Sequence, residues 1–479
     1  MTESNTKTDN RGVAHVVEID KMVLSNHVGQ NVDLRAIFSE FTTTTSIFEP
    51  GIRGTVTVYD AHALINRHPI VGQETLHVSF KTPGNSPKES KFSVWKITDE
   101  EPDSKGTSSV YTLHFCSSTI LQNAQQVVAK SFTNTDDAAA IIRAIAAEYM
   151  QMEKSFTTGS LPMKDPAKKL VIPMYRPLEA IDMILRRAYS GDDTKSDYYV
   201  FFERYDGWKL YMLDELVSNP INARQRAAGV VSQEQIDTSP DRSVQDLETW
   251  YEYASVKYQD DSVEGRDIRR VVGMTLGSRF DTIAKIRDGA FESEVVQYSI
   301  AEKSITSKKY SALTDEKRLL GGPPNDSVVN DRGGTGRERT NTVDFLSDFS
   351  TPTTGFVGSQ ASRTFFRLKD PEEKDGVVKK SGLRYAATRT QLSQIQVSIT
   401  VPGDTMVDVG DVVHLSLPKF ESVLDKGERD DFLYGRYIIG AIRDNILPPD
   451  KHVMTLDLWR DSYASPVTIS KVFNEDSSS

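Results

Sequence analysis

Ser46-Ile-Phe-Glu-Pro-Gly-Ile-Arg-Gly-Thr-Val-Thr-Val-Tyr-Asp60, followed by Pro69-Ile-Val-Gly-Gln-Glu-Thr-Leu-His-Val-Ser-Phe80, is the stretch from which the fold is read. Val56 and Val58 alternate with Thr55, Thr57 and Tyr59, and Leu76, Val78 and Phe80 alternate with Thr75, His77 and Ser79. A period of two marks half-buried antiparallel strands. Gly51 and Gly54 are expected to give turn flexibility before the first strand, and Pro69 and Gly72 punctuate the entry to the second. Neither segment holds a recognisable catalytic residue.

Working outward, strands are expected near 14–20, 33–44, 54–60, 74–81, 91–98 and 108–115, spaced as in a small barrel. Ser118 to Lys130 reads as helical. Thr135 is a candidate N-cap for a helix Asp136–Met150, with acidic residues in its first turn. Pro177 suits the first position of a second helix, whose apolar stripe is Leu178, Ile181, Ile184, Leu185 and Ala188. Asp206-Gly207 between Tyr198–Phe202 and Trp208–Met212 signals a hairpin. Residues 250–258 alternate as a strand. In the C-terminal part, Ile395–Val401, Val409–Pro418, Tyr434–Ile442 and His452–Trp459 read as strands of a second small antiparallel barrel. The fold class is thus β-rich α+β, with two small antiparallel β-barrel domains and two α+β domains. Between 313 and 360 lies a polar stretch with few large apolar residues, expected to be a mobile loop.

The 479 residues suggest three or four domains. The chain is 38% hydrophobic and 26% charged, enough for ordinary cores. A net charge of −11, without a standout basic patch, argues against gripping DNA through its phosphates. Such a surface suits a passage through which DNA slides. No apolar run is long enough for a membrane-spanning helix, and residues 1–10 lack the apolar core of a signal peptide. The chain is therefore expected to fold inside the cell that makes it, without stable membrane association. The single cysteine, Cys116, rules out an intramolecular disulfide and reads as a small apolar packing residue.

The eight histidines form no HExxH motif, and Asp60, His62 and His68 are the only local group of metal-like composition. A turn and short helix explain that group better. His77, His114 and His414 sit inside alternating strands and are expected at a surface or interface. The adjacent acids Glu100-Glu101, Asp192-Asp193, Asp260-Asp261 and Asp430-Asp431 read as solvated loops, since paired catalytic carboxylates come from different segments. There is no Gly-x-Ser-x-Gly elbow. Gly333–Gly336 lacks the Lys-Ser/Thr ending of a phosphate loop. No catalytic, cofactor-binding or metal-ligating residue is therefore assigned, and no cofactor is expected.

The order Ile-Phe, Gly, Thr-Val-Thr-Val-Tyr-Asp, a short helical stretch and Pro-Ile-Val-Gly-Gln-Glu resembles the N-terminal barrel of baseplate hub proteins from contractile-tailed phages. The block Val401-Pro-Gly-Asp404, Val409-Gly-Asp411, Gly435-Arg-Tyr-Ile-Ile and Leu458-Trp-Arg-Asp461 is similar to the last barrel of that family, related to modules of contractile injection systems. The resemblance implies a structural virion protein and not an enzyme. It would be a homotrimeric ring that adapts a six-fold tail tube to a three-fold spike and leaves a channel. Implied partners are further copies of itself, the central spike, tail tube or tube-initiator proteins, baseplate wedge proteins, the tape-measure protein, and DNA only in transit. Assembly would occur in the host cytoplasm and the final place would be the virion tail. The implied division is a tail 1–13, a first barrel 14–125, an α+β domain 126–235, and a second barrel split between 236–265 and 383–465. An α+β domain 266–382 is inserted, and 466–479 is a second tail. Strands 54–60, 74–81, 394–401 and 434–442 would build the ring. The rival readings are a baseplate-associated peptidoglycan or glycan hydrolase, and a receptor- or glycan-binding module using the aromatics of Tyr198–Tyr211.

Overall fold

A computed structural model of the chain describes residues 15–26, 28–61, 64, 70–102, 108–133, 137–152, 156–165, 169–192, 195–218, 221, 252–255, 269–278, 292–311, 363–368, 385, 388–389, 392, 395–417, 433 and 435–460. The predicted tails and the loop 313–360 lie outside these residues.

The first half consists of β1 (Glu18–Ser25), β2 (Asn31–Asp33), β3 (Phe38–Ser46), β4 (Arg53–Asp60), β5 (Thr75–Lys81), β6 (Lys88–Pro102) and β7 (Ser109–Ser117). They pair antiparallel in the order β3-β4-β7-β6-β5-β1-β2. The alternation read from the sequence is the alternation of burial. Val56, Val58, Leu76, Val78, Phe80, Leu113 and Phe115 are all sealed in one core, and of the residues between them only Ser79 is also buried. The Glu74 carboxylate accepts from the backbone N–H groups of Val71, Gly72 and Gln73 at 2.8–3.1 Å, which locks the turn into β5.

An α+β unit follows. It contains α1 (Ser118–Gln125), β8 (Val128–Phe132), α2 (Ala138–Met150), β9 (Phe156–Thr158), β10 (Leu170–Tyr175), α3 (Pro177–Arg187), β11 (Tyr199–Arg204), β12 (Gly207–Met212) and α4 (Leu213–Ser218). The helix expected over 118–130 stops at Gln125, because Gln126 is extended and Val128–Phe132 pairs with β10. The cap of α2 is Asp137, which accepts from Ala140 N–H, and not Thr135. The β11–β12 hairpin is apolar on both faces. Tyr199, Phe201, Trp208 and Leu210 join Ile142, Ile145 and Ile181 in the unit's own core. Tyr198, Val200, Phe202 and Tyr211 enter the core of the second half.

The second half contains β13 (Glu252–Ser255), β14 (Arg270–Val271), β15 (Gly273–Ser278), β19 (Ile395–Pro402), β20 (Val412–Ser416), β21 (Gly435–Leu447) and β22 (Lys451–Arg460). Between them, β16 (Glu292–Ser299), β17 (Ser304–Ser311) and β18 (Arg363–Leu368) form a separate three-stranded sheet. The expected antiparallel pairing fails at β13, which lies parallel to both β14 and β20. The chain reaches β14 through residues 256–269, a connection long enough for a parallel crossover.

The two halves repeat one plan. The order β3-β4-β7-β6-β5 recurs as β15-β19-β22-β21-β20. Leu76↔Phe92 and His77↔Lys91 correspond to Val413↔Tyr437 and His414↔Arg436. The bulge between Val94 and Lys96 in β6 corresponds to that between Ile439 and Ala441 in β21. Val94 N–H donates to Glu74 O at 2.9 Å, and Ile439 N–H to Asp411 O at 2.9 Å. These registers lay Glu74-Thr-Leu-His-Val-Ser-Phe80 on Asp411-Val-Val-His-Leu-Ser-Leu417, and Thr55-Val-Thr-Val58 on Ser398-Ile-Thr-Val401.

The halves are not separate. One edge of β21 is lined by β22, and the other carries first β20 and then β3 of the first half, through pairs from Ala441↔Ser46 to Ile446↔Phe41. The result is one fourteen-stranded sheet. Strand pairing does not run unbroken around either half among the described residues, so the architecture found is β-rich α+β.

Candidate functional site

The densest polar chemistry lies where the halves and the α+β unit meet, and the tip of the β11–β12 hairpin organises it. Glu203, Arg204 and Tyr205 are consecutive, and each reaches a different element. Glu203 accepts from Ile52 N–H at 3.1 Å and from the Ser117 hydroxyl, fixing the start of β4 and the end of β7. Arg204, 2% exposed, donates to Val409 O at 3.2 Å and to the Asp411 carboxylate at 2.9 Å, with Asp408 at 3.4 Å. Burial opposes the guanidinium charge, but Asp411, Asp408 and Asp206 outweigh it and hold Arg204 protonated well beyond its ordinary range. The Tyr205 hydroxyl donates to Thr43 Oγ1 at 3.1 Å, and its ring lies edge-on to Phe80 and under Lys88 Nζ.

Beside Tyr205, three polar side chains from three strands, a carboxylate, an imidazole and an ammonium group, are sealed from water. Asp444 of β21 lies 2.9 Å from His452 Nε2 of β22 and 3.5 Å from Lys88 Nζ of β6. Burial alone would raise the Asp444 carboxyl. Lys88 and His452 outweigh it and hold the group down at about 2. Asp, His and Lys in contact suggest proton chemistry, but Asp444 is 1% exposed and His452 0%, so no substrate reaches them. This is a clasp between halves. A second strap runs beside it: Thr82 and Thr405 exchange backbone-to-hydroxyl bonds at 3.2 and 3.0 Å, and Asn85 donates to Asp404 at 2.9 Å.

Of the four strands expected from sequence to build a ring, β4, β19 and β21 share one face of the sheet, and β5 joins the sheet through β6. Register lines up Lys96, His114, Thr55, Thr42, Asn445 and Val453 across β6, β7, β4, β3, β21 and β22 on the face opposite the cores. The next row is Arg53, Thr44, Arg443, Thr455 and Thr400. This hydroxyl-rich face spans both halves, roughly 29 Å from β6 to β19 at ~4.8 Å between neighbouring strands. It knits itself together, with Thr57–Thr112 at 3.2 Å, Thr98–His114 at 2.7 Å and Ser398–Asp457 at 2.7 Å.

His77 pairs with Glu89 at 2.7 Å near the surface, as expected, and His114 is half-buried. His414 departs from expectation, being 8% exposed. Its register neighbour Arg436 donates to Val217 O, so α4 covers this end of the sheet. His62 and His68 lie outside the described residues, as do Asp193, Asp260, Asp261, Asp430, Asp431 and the run 333–336. Glu100 and Glu101 lie exposed on β6. Among the described residues no group of three His, Cys, Asp or Glu is placed to hold a metal ion. An open cavity of about 550 Å³ is lined by His15, Val16, Val272, Asp450, Lys451 and Val453 and contains no pair of carboxylates. Cys116 is buried, and burial pushes its thiol up to about 11. No described helix is long and apolar enough to cross a membrane.

The joint itself was missed in the sequence. Its only local signal is the polar run of Glu203, Arg204 and Asp206 at the tip of a hairpin that is otherwise apolar but for Lys209.

No protein-family model matches the chain, and no curated protein matches it in sequence. In three dimensions it is similar to phage-tail and secretion-system proteins. A tail protein from Neisseria meningitidis MC58 is 12% identical over 95% of this chain and 98% of its own, with a TM-score of 0.48. The 43 kDa tail protein of prophage MuSo2 from Shewanella oneidensis is 9% identical over 93% of this chain and 100% of its own, with a TM-score of 0.48. The c3393 protein of E. coli, a type VI secretion component described as similar to the T4 tail proteins gp27 and gp5, is 8% identical over 94% of this chain and 78% of its own, with a TM-score of 0.40.

Proposed function

We propose that the chain is a structural hub subunit of a contractile-tail baseplate, acting as a homotrimer around a passage and seated between the tail tube and a central spike. The observation that carries this reading is the internal repeat. One chain holds two sheets of the same strand order, already joined edge to edge, so three chains supply six like modules to a six-fold partner while keeping three-fold symmetry for a spike. A cyclic arrangement of such subunits buries heterologous interfaces and closes.

Each half is proposed to act as a barrel. Two sets of bonds support this. Leu34 N–H donates to Met22 O and Tyr59 N–H to Ile37 O, so in the first half the segment between β2 and β3 reaches from β1 to β4. Val272, between β14 and β15, donates to Thr400 O. The division into 14–125, 126–235, 236–265 with 383–465, and 266–382 is retained as a proposal, with β15 working as a strand of the second barrel. The wedge, tube-initiator and tape-measure contacts, transit of DNA, and assembly in a host cytoplasm belong to this same reading. The role is mechanical and not catalytic.

Native mass measurement with negative-stain imaging tests it, on the chain alone and mixed with the spike protein from the same genome. The expected species is a ring of about 160 kDa, three times the 53.5 kDa chain. A monomer in both samples overturns the reading.

A further inference from the structure

Within one chain, one extended strand pairing joins the second half to the first. The bulged strand β21 gives part of one edge to its own β20 and leaves the rest to β3. The repeat puts β6 in the place of β21, and β6 is built the same way. One edge carries β7 along most of the strand, while β5 covers the other edge only from Lys88 to Ser93. Beyond the Trp95 bulge, no described strand pairs with that edge.

The repeat also puts β15 in the place of β3. β15 pairs with β19 on one side, and its other edge carries no described strand. Among the described residues the chain thus shows a filled joint, β3 on β21, and the two unfilled parts of an equivalent joint, β15 and β6.

Burial marks the same difference. In the filled joint Phe41 and Thr43 are 0% exposed and Thr42 6%, and Ile442 and Ile446 are 1% and 0%. Their counterparts are open: Met274, Leu276 and Ile97 are half-buried, Thr275 and Glu101 are exposed, and Trp95 is 50% exposed. Unpaired strand edges with half-covered apolar residues are templates for strand addition.

We propose that β15 of one copy adds antiparallel to the free edge of β6 in the next copy, repeating between chains the joint that β3 makes with β21 within the chain. The inference rests on the proposed ring and specifies its contact. The register follows from the repeat. Asn445↔Thr42 and Arg443↔Thr44 translate into Glu101↔Thr275 and Thr98↔Ser278, since Glu101 pairs with Val110 as Asn445 does with Val453. Each copy offers one β15 and one β6, a head-to-tail contact that closes once three copies have contributed six halves. The hydroxyl-rich face of the sheet then continues from copy to copy.

Oxidative cross-linking of the full chain carrying Glu101→Cys and Thr275→Cys tests the contact. The native Cys116 is buried and stays out of the reaction. Non-reducing gels are expected to show covalent dimers and trimers for the double variant and monomer for each single variant. Glu101→Cys with Met274→Cys, one residue out of register, is expected to cross-link at least tenfold less. Native mass of the same samples separates the two levels of the argument. A trimer that does not cross-link, or that cross-links equally in both pairs, overturns this joint and leaves the ring standing. A chain that stays monomeric both alone and with the spike protein overturns both.

Discussion

Gly54 shows what residue-level reading of the sequence gets right and where it stops. Gly51 does sit in a left-handed turn, with φ +95°. Gly54 instead lies inside β4, where an added Cβ would stand 2.2 Å from Thr42 O and 2.4 Å from the Phe115 ring. The need there is close approach, which spacing along the chain does not reveal. Gly54→Ala is expected to lower stability by about 1–3 kcal/mol, the usual cost of overpacking, read as a lower midpoint in urea. Asp214 carries a different signature. It is buried and accepts from Ser196 N–H at 3.1 Å and from the Ser196 hydroxyl. Burial outweighs these bonds and pushes its carboxyl up to about 6. A folded-state value above the unfolded one means that ionisation opposes folding, so this group's contribution improves as pH falls from above 6 towards 4. Asp214→Asn, which still accepts from Ser196, is expected to raise stability at pH 8 by roughly 1–3 kcal/mol and to gain little at pH 4. An equal gain at both values would show that charge is not the cause.

At the scale of elements, strands with a clear period of two were legible, as was the Asp206-Gly207 hairpin, because alternation and turn chemistry are local. The partners of the hairpin tip were not. Arg204 meets Asp408 and Asp411 only after the chain has passed through the whole inserted region, and no spacing rule links them. The same holds for Lys88, Asp444 and His452, which read in sequence as ordinary strand residues. Removing one partner of a buried ion pair strands the other charge. Lys88→Ala is therefore expected to cost about 3–5 kcal/mol in equilibrium unfolding at pH 7. Lys88→Met with Asp444→Asn removes both charges and fills the space, and should recover much of that loss. A double variant no more stable than Lys88→Ala alone would show that packing, not charge, is what the site provides. The Asp444 carboxyl is depressed, so its contribution is complete above about pH 4 and is lost as pH falls towards 2.

For the whole molecule, the sequence carries the repeat but hides it. Only His and Ser of Glu74–Phe80 recur identically in Asp411–Leu417; Leu76, Val78 and Phe80 exchange for other apolar residues, Glu74 for Asp411 and Thr75 for Val412. Binary patterning keeps a strand while erasing identity, so the duplication emerges from register and strand order. Sharing of β21 was equally illegible, because edge-to-edge pairing depends on the position of a strand's end in space. That sharing has a consequence for stability. Ile446 belongs to the core of the first half and Ile442 to that of the second, although both lie on β21. Unfolding either half exposes one side of this strand and breaks its ladder to the other. The halves are therefore expected to open as one cooperative unit, unlike two barrels on a tether. Hydrogen exchange on Asp444→Asn tests this, since the substitution weakens the clasp at its centre. Protection should fall together in β5, in the first half, and in β19, in the second, although neither strand touches residue 444 by pairing. Loss confined to one of them would mean that the halves hold themselves independently and that β21 only tethers them.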